Sequence, residues 1–405
     1  MKTVVYLSSQ LPKRSETFVY RELFGLREAG VRVLSATLHP PETHLGEPRL
    51  DQLAAEAIPV YGSGTRALIR DAIRELRFDF ARAFDTISRA VSDALTANDL
   101  SISGRLKTPA QAVAALALAH RLRAQTPGHL HAHFAHAPAT VAMYAAHQLG
   151  ISFSFTGHAV DLFRDRALLL PKLRRARFVN CISEWHRTFY QDVVMRPNDD
   201  YPVVRCGVDM AEFAPVSHPP GDPPIVLGVG RLVPKKGFDV LIEATALLIK
   251  RGCAVRVVIA GDGPEMARLQ ELRKQHGLES VVDLPGACSN QQVREMLKTT
   301  DLFVLPCQVD RNGDRDGIPV VLMEAMACGI CVVSGDLPTI RELIRHEVTG
   351  CMVDPGDVDE LARTMEQLLA VPAHRRALAD AGRRRVAEEF SLAVNVKRML
   401  TWVNK

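Results

Sequence analysis

Aromatic side chains are scarce in this 405-residue chain, at 6%, but 47% of its residues are hydrophobic. Aliphatics make up the deficit, which argues against a disordered chain. The composition also excludes collagen-like and mucin-like classes. A charge excess of one sign is lacking too. Lys and Arg number 50 against 46 Asp and Glu, a formal net charge of +4. Residues 1–215 carry 26 basic against 21 acidic groups, and residues 216–405 carry 24 against 25. That balance gives no ground for a nucleic-acid partner, although it permits contact with an anionic surface. Cysteines are few: eight, several inside apolar runs, which reads as buried thiols in a reducing compartment. Cys328 and Cys331 form a CxxC, but no second pair completes a zinc set. No apolar run approaches the roughly 20 residues that span a bilayer. The opening MKTVVYLSSQLPKR has an apolar stretch of only about five residues, too short for a signal peptide. The expected location is cytoplasmic, with peripheral attachment at the inner face of the plasma membrane left open.

At roughly 150 residues per domain, the length suggests two or three domains. Apolar, β-rich runs alternate with helical patterns, the signature of an α/β protein with parallel sheets. Strands are expected at Val4–Leu7, Val31–Ala36, His129–Phe134, Phe153–Thr156 and Phe178–Ile182, with helices over 17–29 and up to Leu149. Residues 63–125 break the rhythm. There Leu68, Ile69, Ile73, Leu76, Phe80, Phe84 and Ile87 recur at helical spacing with arginines between them, which predicts two or three inserted amphipathic helices. Five prolines between Pro215 and Pro224 mark a linker. A second series follows, with strands at Ile225–Val229, Val257–Ala260, Val281–Leu284, Leu302–Leu305, Cys331–Ser334 and Gly350–Val353, then helices to about Asn404. The expected organisation is two Rossmann-like domains facing across a cleft, 1–215 and 216–385, with a C-terminal helix over 386–405 that crosses back to the first domain. Open parallel sheets bind ligands beyond the carboxyl ends of their strands.

The densest chemical signal runs from Asp316 to Gly329. Seven residues separate Asp316 from Glu324, and the run after Pro319 is helical, with Pro319 suited to the first helical position. A helix start offers free amides, here those of Val320 and Val321, for a phosphate. Two carboxylates so placed could hydrogen-bond sugars on either side of it, or simply cap a helix and meet solvent. A second signal is Gly228-Val-Gly230-Arg231, followed by Lys236 and Gly237, between a strand and the helix Phe238–Lys250. Arg231 and Lys236 could neutralise a departing diphosphate, or belong to a solvated basic loop. The fingerprint of a dinucleotide site is incomplete. Gly261-Asp-Gly263-Pro264 reads as a turn at the next strand end.

Eight blocks in order, covering nearly the whole chain, resemble the retaining GT-B glycosyltransferases of family 4. That group includes sucrose-phosphate synthases and bacterial mannosyltransferases. The blocks are YLSSQLPKRSETFVYREL, HLHAHFAHAPATVA, FTGHAVDLF, RCGVDMAEF, VGRLVPKKGFDVLIEA, AGDGP, GIPVVLMEAMACG and TGCMVDPGD. They are most similar to the branch that builds exopolysaccharides such as colanic acid and amylovoran. The resemblance implies a hexosyltransferase using a nucleotide-diphosphate sugar donor and a saccharide or lipid-linked saccharide acceptor, with no cofactor and no metal. It places the family's E-x7-E motif on Asp316 and Glu324, the first carboxylate towards the donor sugar and the second on the ribose hydroxyls. Arg231 and Lys236 match the diphosphate-binding pair. Gly230, Gly263, Gly317, Val320 and Val321 fall in the donor blocks. His158 matches an acceptor-side histidine near the anomeric carbon, and Ser15, Glu16, Thr17 and His133 fall on the acceptor side. Three departures stand out. The first carboxylate is an Asp, shorter by one methylene, and Pro319 removes one backbone donor. Ser8-Ser9-Gln10-Leu11 replaces the frequent Gly-Gly loop after the first strand.

Other readings compete. Asp314-Arg-Asp316 is formally a DxD that could hold a divalent metal. His129, His131, His133 and His136 raise a zinc site, with no Cys or Glu nearby in sequence to complete it. The basic segment 63–125, with ten Lys/Arg and six Asp/Glu, could dock on an anionic membrane surface. A nucleotide-sugar 2-epimerase of the same architecture, or a nucleotide-sugar-binding protein without turnover, are the rival functions.

Overall fold

The computed structural model describes residues 3–43, 45–158, 166–215 and 221–404. The end of the FTGHAVDLF block and the centre of the proline-rich linker lie outside them. The chain forms two compact units, Met1–Arg205 with Asn395–Lys405, and Cys206–Val394. The units thus divide at Arg205 and Cys206, ahead of the prolines. The last helix, Leu392–Asn404, enters the first unit only from Asn395.

Each unit is built on a six-stranded parallel sheet. In the first, β1 (Val4–Ser8), β2 (Val33–Thr37), β3 (Ile58–Pro59), β4 (His129–His133), β5 (Ser152–Gly157) and β6 (Phe178–Cys181) lie in the order β3-β2-β1-β4-β5-β6. In the second, β7 (Ile225–Val229), β8 (Arg256–Ala260), β9 (Val282–Gly286), β10 (Leu302–Leu305), β11 (Cys331–Gly335) and β12 (Cys351–Val353) lie in the order β12-β11-β10-β7-β8-β9. Counted from its own first strand, each sheet has the same order. β1, β4, β10 and β11 are buried at every position, because helices cover both faces of a parallel sheet. The core of the second unit packs Val226, Phe303, Val304, Val332 and Val333 against Leu241, Leu322 and Met326. The helix Pro48–Glu56 and the two-residue edge strand β3 were not expected.

The segment 63–125 forms three helices, Thr65–Phe78, Phe80–Thr96 and Ile102–Arg123. Asp79 caps the second by accepting from the Arg82 amide, and Ser101 caps the third by accepting from the Gly104 amide. The third is rich in small residues; Ala112, Ala114, Ala115, Ala117 and Ala119 are all buried. The first helix turns its two acids inward. Arg121 Nε donates to Asp71 at 2.9 Å, and Arg123 Nε and Gln148 Nε2 each donate to Glu75 at 2.8 Å. Such partners offset the cost of burying a carboxylate. The apolar pattern divides in an unexpected way. Leu68, Leu76 and Ile87 pack inward, whereas Ile69, Ile73, Phe80 and Phe84 face solvent.

Candidate active site

In the second unit, loops at the carboxyl ends of the strands cross so closely that only glycine fits. A Cβ on Gly261 would stand 1.8 Å from the Gly230 carbonyl oxygen, and one on Gly263 2.3 Å from that of Leu232. One on Gly237 would stand 2.0 Å from the Pro306 oxygen, and one on Gly335 1.8 Å from that of Cys307. Gly263 is therefore required first for loop packing. Gly230 lies against the Lys236 side chain, where a Cβ would meet Lys236 carbons at 3.4–3.5 Å.

This packing sets two lysines against two aspartates. Gln308 fixes the lysine loop, its amide donating to the Lys235 carbonyl at 2.9 Å and its Nε2 to the Pro234 carbonyl at 2.8 Å. Lys236 Nζ then lies 2.7 Å from Asp316 Oδ2. Lys235 Nζ lies 3.1 Å from Asp314 and 3.5 Å from Asp316. Cys307 Sγ donates to Asp316 at 3.4 Å, and Thr339 Oγ1 donates to the Asp316 carbonyl at 3.0 Å. Both formal DxD carboxylates are thus ion-paired to lysines. Burial alone would push the Asp316 carboxyl up, but the charges of Lys236 and Lys235 outweigh it and hold the group below its ordinary value. Burial would likewise lower Lys236, but the Asp316 charge outweighs it and raises the ammonium. The pair is ionised at neutral pH. Arg231 is exposed at the start of the same loop.

Four residues beyond Asp316 the helix Val320–Ala327 begins. Pro319 occupies the position before it, with φ −64° and ψ 125°, rather than the first helical position expected. Pro319 itself makes no side-chain hydrogen bond to cap this helix. The half-buried Val320 and Val321 amides precede the first intrahelical acceptors and carry the positive end of the dipole. Gly317 and Glu324 are buried, the latter against the reading of a solvated glutamate. Cys328 and Cys331 are free thiols, each pushed up to about 12 by burial, which suits packing and not redox chemistry.

In the first unit the strand ends hold an aromatic cluster. His133 Nδ1 lies 3.4 Å from His158 Nε2. The Phe18 and Phe134 rings lie 4.7 and 4.5 Å from that of His158. Phe134 has φ +76°, rare for a non-glycine residue. Behind them Tyr6 Oη donates to Glu22 Oε1 at 2.7 Å, and His133 Nε2 is 3.4 Å from the same oxygen. Burial, then the neighbouring His133, keeps His158 far below the usual histidine value, so its ring is neutral. Glu16 pairs with Lys13 at 2.6 Å, yet burial raises its carboxyl, and its Oε2 has no hydrogen-bond partner among the described residues. Ser15 is exposed and Thr17 half-buried.

Sequence reasoning missed Tyr6, Phe18, Glu22 and Lys235. Phe18 and Glu22 are one helical turn apart, the one available signal. Glu22 also corrects the expectation that no carboxylate stands by the histidines, for ligand-capable atoms of Glu22, His131 and His133 lie within 4.8 Å of one another. His131 is already engaged, Nδ1 with Ser154 at 2.7 Å and Nε2 with Thr156 at 2.9 Å. With His129 bonded to Ser152 and Ser154, it pins β4 to β5.

Residues 209–385 match the model of the family described as glycosyl transferases group 1. WcaL of Escherichia coli (strain K12), a glycosyltransferase assigned to colanic acid biosynthesis, is 42% identical over 170 residues, 42% of each chain. The amylovoran biosynthesis glycosyltransferase AmsK of Erwinia amylovora is 33% identical over 204 residues, 50% of each. The matched region thus spans about half the length of these curated relatives. Among solved structures, sucrose-phosphate synthase of Thermosynechococcus elongatus covers 100% of this chain and 98% of its own, with TM-score 0.73 at 18% identity. Anabaena HepE in complex with UDP-glucose covers 100% of both chains with TM-score 0.71 at 16% identity. At such identity the likeness is one of fold. Residues 209–385 thus resemble the glycosyl transferases group 1 family, and the two-sheet architecture of the whole is the GT-B fold.

Proposed function

We propose that the protein is a retaining hexosyltransferase of family 4 type. It would move a sugar from a nucleotide-diphosphate donor to a hydroxyl of a lipid-linked saccharide during exopolysaccharide synthesis. The carrying observation is the ionised Lys236 beside Asp316 in the loop ahead of the helix start at Val320. As the glycosidic bond breaks, its electron pair goes to the diphosphate oxygen. Lys236, Arg231 and the Val320 and Val321 amides stabilise that charge without reorganising. Glu324 holds the ribose hydroxyls, and Asp316 orients the donor sugar. No side chain in this set is placed as a nucleophile. The acceptor hydroxyl attacks from the face the diphosphate leaves, passing its proton to the departing phosphate. This gives retention of configuration. The buried, neutral His158 contributes a hydrogen bond on the acceptor side, and Ser15, Glu16, Thr17 and His133 supply the rest of that surface. The lysines already neutralise Asp314 and Asp316, so the reading requires no metal.

The test incubates the purified chain with UDP-, GDP- and ADP-sugars and saccharide-lipid acceptors, with and without EDTA, and reads products by NMR. Transfer with the donor's anomeric configuration kept, unchanged by EDTA, supports the reading. Free epimer without transfer would point to the 2-epimerase. A silent wild type that gains activity on Asp316→Glu would mark a binding protein that has lost turnover.

A further inference from the structure

The helices Thr65–Phe78 and Phe80–Thr96 and the start of Ile102–Arg123 expose what a water-facing surface normally hides. Phe78, Phe80, Phe84, Leu95, Ile102 and Leu106 are each between 64% and 83% exposed. On the second helix, Phe80, Phe84, Val91 and Leu95 are spaced four, seven and four apart. At 100° per residue this places them in one narrow stripe. Ile102 and Leu106, again four apart, continue the apolar character. Arg105 holds their helix start to the end of the stripe by donating to the carbonyls of Ala94, Leu95 and Ala97 at 2.7–2.8 Å. Scattered exposed leucines mean nothing, but a run of this kind marks an interaction surface.

The charge on the neighbouring first helix selects the partner. The outward face of the first helix carries Arg66, Arg70, Arg74 and Arg77, interleaved with Ile69 and Ile73, and its only acids, Asp71 and Glu75, are buried on the opposite side. Arg70 and Arg74 approach Asp71 at 3.0 and 3.8 Å, yet both stay more than half exposed. A second copy of the chain would bring arginine row against arginine row, which repels. An anionic lipid surface matches both features, since it accepts apolar side chains at its boundary and attracts arginines to its headgroups. No described helix is long and apolar enough to cross a membrane, so attachment lies in the plane.

We propose that this helical insertion docks the protein on an anionic bilayer surface, with Phe80, Phe84 and Leu95 entering the acyl boundary and the arginine row lying against phosphate headgroups. The inference stands on this surface alone and does not depend on the reaction. The test is co-sedimentation of the full chain with vesicles of phosphatidylcholine alone or with 30–40% phosphatidylglycerol, roughly the anionic content that gives a substantial surface potential. Binding is expected to the anionic vesicles, weakened about tenfold or more by Arg74→Glu with Arg77→Glu. Phe80→Ser with Phe84→Ser, both at exposed positions, should weaken it without changing the melting temperature. Phe84→Trp should add fluorescence that brominated lipid quenches. No binding to anionic vesicles, or binding that neither pair of substitutions reduces, would overturn the proposal. So would a dimer in sedimentation velocity that the phenylalanine substitutions dissolve, since a second copy would then be what covers the stripe. Sugar transfer is measured separately on a soluble acceptor, so a failure of docking and a failure of the enzymatic reading remain distinct.

Discussion

The two sheets share one strand order, yet their carboxyl ends carry opposite chemistry. In the second unit, glycine-tight loops bring Lys235 and Lys236 against Asp314 and Asp316, and the helix start at Val320 follows. In the first, the corresponding end holds His133 and a neutral His158 beside Phe18 and Phe134, with Tyr6 and Glu22 behind. Topology decides where a site can form; the residues at the strand ends decide what it can hold. A charged end suits a diphosphate. A ring-lined end suits sugar hydroxyls, which are met by apolar faces and single hydrogen bonds.

That contrast can be broken at several points. Lys236→Ala removes the buried cation and should lower transfer about 10²- to 10³-fold, or about 3–4 kcal/mol in steady-state kinetics. An effect below tenfold would move the diphosphate elsewhere. Glu324→Ala should weaken nucleoside diphosphate binding in calorimetry by about 10- to 100-fold, the scale of a lost charge-assisted hydrogen bond. His158→Ala should cut transfer about tenfold while leaving nucleotide affinity within about twofold, the hallmark of an acceptor-side group. Equal loss of nucleotide binding in the last two variants would erase the division of labour between the units. Glu22→Gln should cost about 1–2 kcal/mol of stability by weakening the Tyr6 hydrogen bond, and should not alter nucleotide affinity.

The pH dependence sharpens the same comparison. Asp316 sits below its ordinary pKa, so its contribution to stability is present above the unfolded carboxyl value of about 3.9 and is lost as pH falls through the lower folded value. Lys236 sits above its ordinary value. Its contribution holds below about 10.4 and is lost as pH rises through the folded value. Melting followed from pH 3 to pH 7 should therefore show Asp316→Asn flattening the acid limb. An unchanged acid limb would mean the pair is not formed in solution.

Much of this was legible in the sequence because parallel strands buried on both faces are nearly continuous apolar runs, as in β7 and β10. The Lys236, Asp316 and Glu324 pattern was legible because glycine and proline punctuation marks strand ends and helix starts. The two-residue β3 has no period to read. Tyr6 and Glu22 sit inside runs that look like core, and only the β1–β4 pairing and the helix behind it bring them to His133. Nothing in the sequence separates Lys235 from Lys236; the placement of Asp314 beside Lys235 does. Phe80 and Phe84 fit a helical period that says they share a face, not which way the face points.

The central claim is that the second unit grips a nucleoside diphosphate through Lys236, Glu324 and the helix start at Val320. Isothermal titration of UDP, GDP and ADP into the wild type, Lys236→Ala and Glu324→Ala tests it most directly. The account predicts saturable binding of one of the three by the wild type, reduced at least tenfold in each variant. Binding of that nucleotide with unchanged affinity in both variants would contradict it.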